Sequence, residues 1–106
     1  MIDLNQIIHQ PVRLRIMAAL VTLEDKGQLE FTYLRDLLDV TDGNLGAHLR
    51  KLEEVGYVQL SKTFVARKPR TYASATSRGR RAFEDHVAAL EAIMRGEESE
   101  AGKHDE

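Results

Sequence analysis

Residues 41–81 read TDGNLGAHLRKLEEVGYVQLSKTFVARKPRTYASATSRGRR, and this stretch decides the fold. Thr41 is a residue type that caps helices, because its hydroxyl can accept from a free main-chain N–H of the first turn. Leu45, Leu49 and Leu52 follow at i, i+4 and i+7, with Val55 near the end, so a helix over 41–55 carries one buried stripe. Gly56 closes it, since glycine takes positive φ without steric cost. Tyr57–Phe64 alternates with a period of two, which predicts a strand. Ala66–Arg70 makes a basic tip, where Pro69 is tolerated at a tip or edge. Thr71–Ser74 returns as a second strand, and Thr76 caps a further helix.

Working outward, Asn5–Gln10 reads as a short helix with Leu4, Ile7 and Ile8 on one side. Pro11 suits the first turn of the next helix, which runs to about Leu23 and is ended by Lys26-Gly27. Its apolar positions, Val12, Leu14, Ile16, Met17, Leu20 and Val21, are wide enough to bury most of it. Leu29–Phe31 fits either a short strand or a connector. Thr32 suits the N-cap of a helix over Tyr33–Leu38, with Leu34, Leu37 and Leu38 inward. Helices 33–38 and 41–55 are joined by the tight link Asp39-Val40-Thr41. The expected fold is mainly α with a small β-hairpin wing, an α+β winged helix-turn-helix with a C-terminal dimerisation helix. Residues 1–94 form that domain, and 95–106 are an acidic tail expected to be disordered.

The last helix carries a seam of Phe83, Val87, Leu90 and Met94, with Ala82, His86, Ala89 and Ile93 beside it. Two apolar stripes ask for two partners. One side meets the chain's own domain, and the other, with Leu4, Ile7 and Ile8, is expected to meet a second copy. The alternative is that all these residues fill one core. A two-fold dimer would set two reading helices about 34 Å apart, matching a palindromic site.

The net charge of −2 conceals a segregation. Residues 41–81 hold nine Lys/Arg against three acids, giving +6. Residues 1–40 hold four against six, and residues 82–106 two against eight. A local basic patch attracts phosphate even on a slightly acidic protein.

The second helix of such a pair lies in the major groove and reads bases mainly from its N-terminal half. Its outer face presents Gly43, Ala47, Arg50 and Glu54, flanked by Asn44 and Lys51. Gly43, Gly46 and Ala47 are small enough for close approach to DNA. Asn44 can pair with adenine, or else support the helix cap. Arg50 and Lys51 reach guanine edges or phosphates, and Thr41 with the helix N-terminus offers donors to a phosphate. Asp42 either accepts from cytosine or helps cap the helix. Gly46 is otherwise a helix weakness of about 1 kcal/mol relative to Ala. At the wing, Arg67, Lys68 and Arg70 suit the minor groove or its phosphates, with Lys62 behind them. Charge that protects an edge strand is the plainer explanation for Lys62. Arg78, Arg80 and Arg81 open the last helix, where the macrodipole disfavours cations, and so point to an external anion. His48, beside the buried stripe, reads as structural.

These features together resemble the winged-helix regulators of the MarR/ArsR-like group, in their compact single-domain form. The matching pieces are Pro11–Met17, Phe31–Leu34, Thr41–Leu49, Leu52–Val58, Arg70–Tyr72, Thr76 and Gly79-Arg80. The resemblance covers about residues 4–94. It implies a homodimeric transcription factor, most often a repressor, that binds double-stranded DNA. Gly46 stands where that group usually carries Ser, so no hydroxyl is offered there.

Other classes find less support. The absence of cysteine removes disulfides, thiolate metal sites and cysteine catalysis. Glu84-x-His86 and Glu97-x-x-Glu100 echo the spacing of metal-sensing relatives, but with one His where several are needed, so no metal or other cofactor is expected. His86, with Glu84 and Asp85, reads as helix surface, and no catalytic arrangement or phosphate-binding loop emerges, so an enzyme is not expected. The competing classes are a protein-interaction winged helix and a metal-responsive repressor. No signal peptide or membrane span is expected, which places the chain in the cytoplasm. The expected partners are duplex DNA and a second copy; a small-molecule effector is left open.

Overall fold

The computed structural model describes residues 3–97. The expected α+β architecture is present: four helices and a three-stranded antiparallel sheet, in the order α1 (Pro11–Val21), β1 (Leu29–Glu30), α2 (Phe31–Leu38), α3 (Asp42–Glu54), β2 (Val58–Val65), β3 (Lys68–Ala75) and α4 (Ser77–Met94). The sheet order is β1-β3-β2, with β3 central.

Each helix start has a local cause. The Gln10 side chain accepts from the Arg13 N–H at 2.8 Å, and Pro11 takes the first helical position. Thr41 Oγ1 accepts from the Asn44 N–H at 3.1 Å, and Thr76 Oγ1 from the Gly79 N–H at 2.9 Å. Helix α2 starts earlier than Thr32 predicts, because Glu30 is its N-cap and accepts from the Thr32 N–H. Segment 5–10 is a single turn rather than a helix, closed by His9 N–H to Asn5 O at 2.8 Å. Helix α1 stops at Val21, and the left-handed residue in the following loop is Lys26 (φ 69°) rather than Gly27. Gly56 takes φ 82° and releases the chain from α3 into β2.

The core lies among the helices and the inner face of the sheet. Ile16, Met17 and Leu20 of α1 meet Leu34 and Leu38 of α2, Leu45, Leu49 and Leu52 of α3, and Val58, Ala73 and Ala75 of the sheet. Full burial of each large side chain stabilises the fold by about 1.5–3 kcal/mol. Two expectations about apolar side chains fail. Leu37 lies 50% exposed, because an eight-residue helix turned to bury Leu34 and Leu38 points Leu37 outward. Ile8 is fully buried in this chain's own core and has no surface left for a second copy.

Helix α4 is fastened to the rest by contacts between residues far apart in sequence. Gly79 is buried where an added Cβ would lie 2.0 Å from the Tyr57 carbonyl oxygen, so only glycine lets the helix pass. Thr76 donates from N to Tyr57 O at 3.1 Å and from Oγ1 to Gly56 O at 2.6 Å. Arg80 turns its guanidinium onto the carbonyls of Val21, Leu23 and Glu24 at 3.1–3.2 Å, closing the exit of α1. These carbonyls, rather than an external anion, are what Arg80 answers. Arg78 sits over the Tyr57 ring, 5.9 Å from its centroid.

His86 is 1% exposed, against the reading of it as helix surface. Its Nδ1 accepts from the Asn5 main-chain N–H at 3.1 Å, which leaves the proton of the neutral ring on Nε2, facing His9 Nδ1 at 3.4 Å. Burial, and secondarily the His9 charge, push its pKa down. Asn5 completes the joint by donating from its amide to Tyr57 Oη at 2.9 Å. After α4, Arg95 Nε pairs with Glu97 Oε2 at 2.7 Å. Most of the proposed tail, including Glu100, lies outside the described residues.

Candidate nucleic-acid interface

The candidate surface joins the outer face of α3 to the β2–β3 hairpin. Leu45, Leu49 and Leu52 anchor α3 in the core, so helical geometry turns the intervening positions outward. Thr41, Asp42, Gly43, Asn44, Ala47, Arg50 and Lys51 are all exposed, and Gly46 is half-buried. Thr41 itself caps the helix, so Asn44 contributes only its main-chain N–H to that cap. Among the described residues, nothing hydrogen-bonds the side-chain amide of Asn44 or the head groups of Arg50 and Lys51. A Cβ at Gly43 would meet nothing within 4 Å, and one at Gly46 only Arg50 Nη1 at 3.4 Å. The exposed acids Glu53 and Glu54 occupy the C-terminal turn, so the surface suited to an anion runs from the N-terminus of α3 to Arg50 and Lys51 and stops there.

Asp42 is engaged within the chain. Its Oδ1 accepts from Arg35 Nη1 at 2.9 Å, while Arg35 Nε reaches Asp36 Oδ1 at 3.0 Å. Hydrogen bonds to Asp42, then to Asp36, raise the Arg35 pKa further above its ordinary value. The pair spans the α2–α3 junction, where Asp39 turns the chain with φ 55°. On the inner side, Arg13 Nη1 donates to His48 Nδ1 at 3.2 Å. Burial, followed by the Arg13 charge, pushes the His48 pKa down and keeps it an acceptor.

The hairpin is longer and its tip smaller than expected. The register pairs Val65 with Lys68 and leaves only Ala66 and Arg67 in the turn, with φ 51° and 68°. Both values are positive, as a twist-matched two-residue hairpin turn requires. Pro69 lies opposite Phe64, one step behind the closing pair, so its missing N–H falls on the side away from β2. Strand β1 pairs only with Tyr72 and Ala73 and does not reach it.

The wing cations do not share one place. Period-two geometry puts Lys62, Phe64, Pro69 and Thr71 on one face, and Thr63, Val65, Lys68 and Arg70 on the other. Lys62 lines a groove of about 310 Å³ with Gly46 and Arg50, between hairpin and α3. Arg67 occupies the turn. Arg70 lies three residues behind it, with Nη1 3.9 Å from Glu30 Oε1. The Glu30 pKa is lowered chiefly by the Thr32 hydrogen bonds, with Arg70 adding a smaller charge effect. Phe64, which the sequence treats only as the end of a strand, is 71% exposed. Its signal was available: an apolar residue beyond Leu60 on the core-facing period, past the point where the core can reach.

Of the residues expected to pair two copies, Ile7 and Phe83 pack against this chain's own core alongside the buried Ile8. Leu4 lines an open groove with Asn5, Tyr57 and Arg78. Val87 and Leu90 are partly exposed beyond the core, and Met94 is 83% exposed. Among the described residues there is no group of three or more His, Cys, Asp or Glu able to hold a metal ion, and no helix long and apolar enough to cross a membrane.

Similarity to known proteins agrees with this geometry. An uncharacterized protein of Methanocaldococcus jannaschii is 40% identical over 82 residues, which are 77% of this chain and 86% of the relative. The structure of a transcriptional regulator homologue from Pyrococcus horikoshii OT3 superposes with a TM-score of 0.78 at 34% identity, covering 87% of this chain and 88% of that one. A transcriptional regulator assigned to the MarR family, from Enterococcus faecalis V583, superposes with a TM-score of 0.65 at 25% identity over 94% and 84% of the two chains. The winged helix DNA-binding domain family matches residues 12–94, the span that runs from α1 to the end of α4. With three buried leucines turning the polar and cationic face of α3 outward beside a cationic hairpin, this chain belongs to the winged helix DNA-binding domain family.

Proposed function

We propose that the chain is a transcriptional repressor that binds a palindromic duplex as a homodimer. Helix α3 enters the major groove with its outer face from the N-terminus to Lys51. Asn44 and Arg50 read base edges, Lys51 and the Thr41 end of the helix meet phosphate, and Gly43, Gly46 and Ala47 permit the approach. Arg67 and Lys68 hold the flanking backbone from the hairpin, with Lys62 between hairpin and helix. Asp42 serves by holding α3 to α2 through Arg35, and Arg70, behind the tip, adds positive charge to the hairpin.

The observation that carries this reading is the combination on α3 of exposed polar and cationic side chains, unpartnered among the described residues, with small residues between them. Dimerisation is supported by the far half of α4, where Val87, Leu90, Ile93 and Met94 continue past the chain's own core. Two copies joined there would present two reading helices to one side of a duplex.

Fluorescence anisotropy on the chain's own upstream intergenic DNA, against a scrambled duplex and across a salt series, tests the reading. Selective binding that persists near physiological salt supports it. Binding that is equal on both duplexes and disappears with modest salt favours a protein-interaction winged helix. On a bound site, Asn44→Ala or Arg50→Ala should cost about 1–3 kcal/mol and relax base preference. Arg67→Ala or Lys68→Ala should weaken all sequences alike and reduce the log–log salt slope by about 0.9 for each phosphate no longer neutralised. Equal losses on both duplexes for all four variants would remove Asn44 and Arg50 as readers.

A further inference from the structure

We propose that the hairpin is a wedge as well as a clamp: Phe64, backed by Pro69, enters the minor groove, partly unstacks a base step and bends the duplex. This rests on the DNA-binding reading above and adds to it an apolar insertion that cations alone cannot make.

The two residues are cross-strand partners on one face of the hairpin. Further back that face carries Leu60 and Ala73 against the core, and then Lys62 and Thr71 beside α3. Phe64 continues the same row into solvent and is 71% exposed. A ring and a pyrrolidine side by side form a flat apolar edge whose size suits the gap between two base pairs.

The support beneath this edge is stiff. Beyond β1 the hairpin continues as a two-stranded ribbon of four paired positions, from Lys62–Thr71 to Val65–Lys68, about 13 Å long at the usual rise per residue. Its turn has only two residues, and Ala66 and Arg67 both hold positive φ without being glycine. Such a conformation is kept only when the surrounding pairing imposes it. A ribbon two strands wide does not fit a minor groove of about 6 Å, so the side chains near the tip are what enter.

Charge selects the occupant. Lys62 shares the face of the apolar edge, Arg67 stands in the turn beyond it and Lys68 on the opposite face, and a second cationic hairpin would be repelled by them. A polyanion with stacked apolar faces satisfies both features at once, and α3, across the cleft from Lys62, holds that duplex by its major groove. Apolar wedges that open a base step bend DNA by roughly 20–90° and let it wrap more of the protein.

The test uses the full chain and a duplex that it selects from a random library. The duplex carries a donor and an acceptor dye at its ends, or the fluorescent adenine analogue aminopurine at successive positions. Saturating wild-type chain should raise energy transfer between the ends and brighten aminopurine at one step on the wing side of the site. Phe64→Ala should abolish both signals while keeping the wild-type salt slope, because every cation stays in place. Phe64→Leu should retain part of both, and Pro69→Ala should weaken them. Arg67→Ala should lower the slope by about 0.9 yet keep the aminopurine signal at saturation. The exposed position of Phe64 makes misfolding an unsuitable explanation for the missing signals, and circular dichroism of each variant checks this. Unchanged transfer and aminopurine emission with Phe64→Ala, or a wild-type complex that shows neither, overturns the wedge and leaves the DNA-binding reading standing. A wild-type chain that selects no duplex at all overturns that reading, and the wedge with it.

Discussion

Asp42, in the first turn of α3, accepts from Arg35 on the preceding helix, Nη1 to Oδ1 at 2.9 Å. A carboxylate at this end of α3 therefore does two things inside the chain. It complements the helix dipole and ties α3 to α2 across the Asp39 turn. Asp42→Asn is expected to weaken binding to a selected site and to single-base variants of that site by the same factor. Anisotropy over such a panel checks this. A change of preference at one base pair would return Asp42 to the reading surface.

Gly79 has no room for a side chain. The nearest atoms to an added Cβ are the oxygen, carbon and α-carbon of Tyr57, and backbone cannot swing aside as a side chain can. Alanine is otherwise the better helix former by about 1 kcal/mol. Overpacking should outweigh that gain, and Gly79→Ala is expected to lower stability by about 1–3 kcal/mol in urea unfolding. An unchanged or higher midpoint would mean that α4 is not seated on Tyr57 as described.

The imidazole of His86 gives the fold a pH dependence of defined sign. Burial and then the His9 charge lower its pKa in the folded chain, while the unfolded chain keeps the ordinary value of 6.5. The unfolded state therefore binds more protons as pH falls through that value, and stability, complete above it, declines below it. His48 contributes in the same direction through burial and Arg13. His86→Asn keeps an acceptor for the Asn5 N–H and cannot titrate, so urea midpoints measured from pH 8 to pH 5 (a range around the ordinary imidazole value) should fall less steeply in the variant. Equal slopes would assign the dependence elsewhere.

Leu90→Glu tests the proposed pairing of copies. Leu90 continues the apolar row of α4 past the chain's own core, so a charge there should leave the protomer folded but unpaired. Sedimentation is expected to give about twice the 12.0 kDa chain mass for the wild type and the single chain for the variant. The same species for both would place any pairing surface elsewhere.

The segments legible in the sequence are those whose causes lie within a few residues of one another. The Thr41 and Thr76 caps, the leucine stripe of α3, the left-handed Gly56 and the alternating strand after it follow from hydroxyl reach, helical period and backbone sterics, all local quantities. Together they determined the winged helix and the outward face of α3. The tertiary structure decided what depends on distant partners. Arg80, whose place at a helix start predicts an anion, instead closes α1, 56 to 59 positions away. His86, flanked by acids that suggest surface, is buried against Asn5, 81 positions away. Ile8, expected at a second copy, belongs to the core, while Leu37, expected inside, faces solvent. Arg70, grouped by sequence with the wing tip, lies behind it, beside Glu30. Periodicity ranks the faces of one element, but which face finds a neighbour is fixed only when the other elements are in place. That is why the outward face of α3 is visible in the sequence, while the joints that hold the helix had to come from the fold.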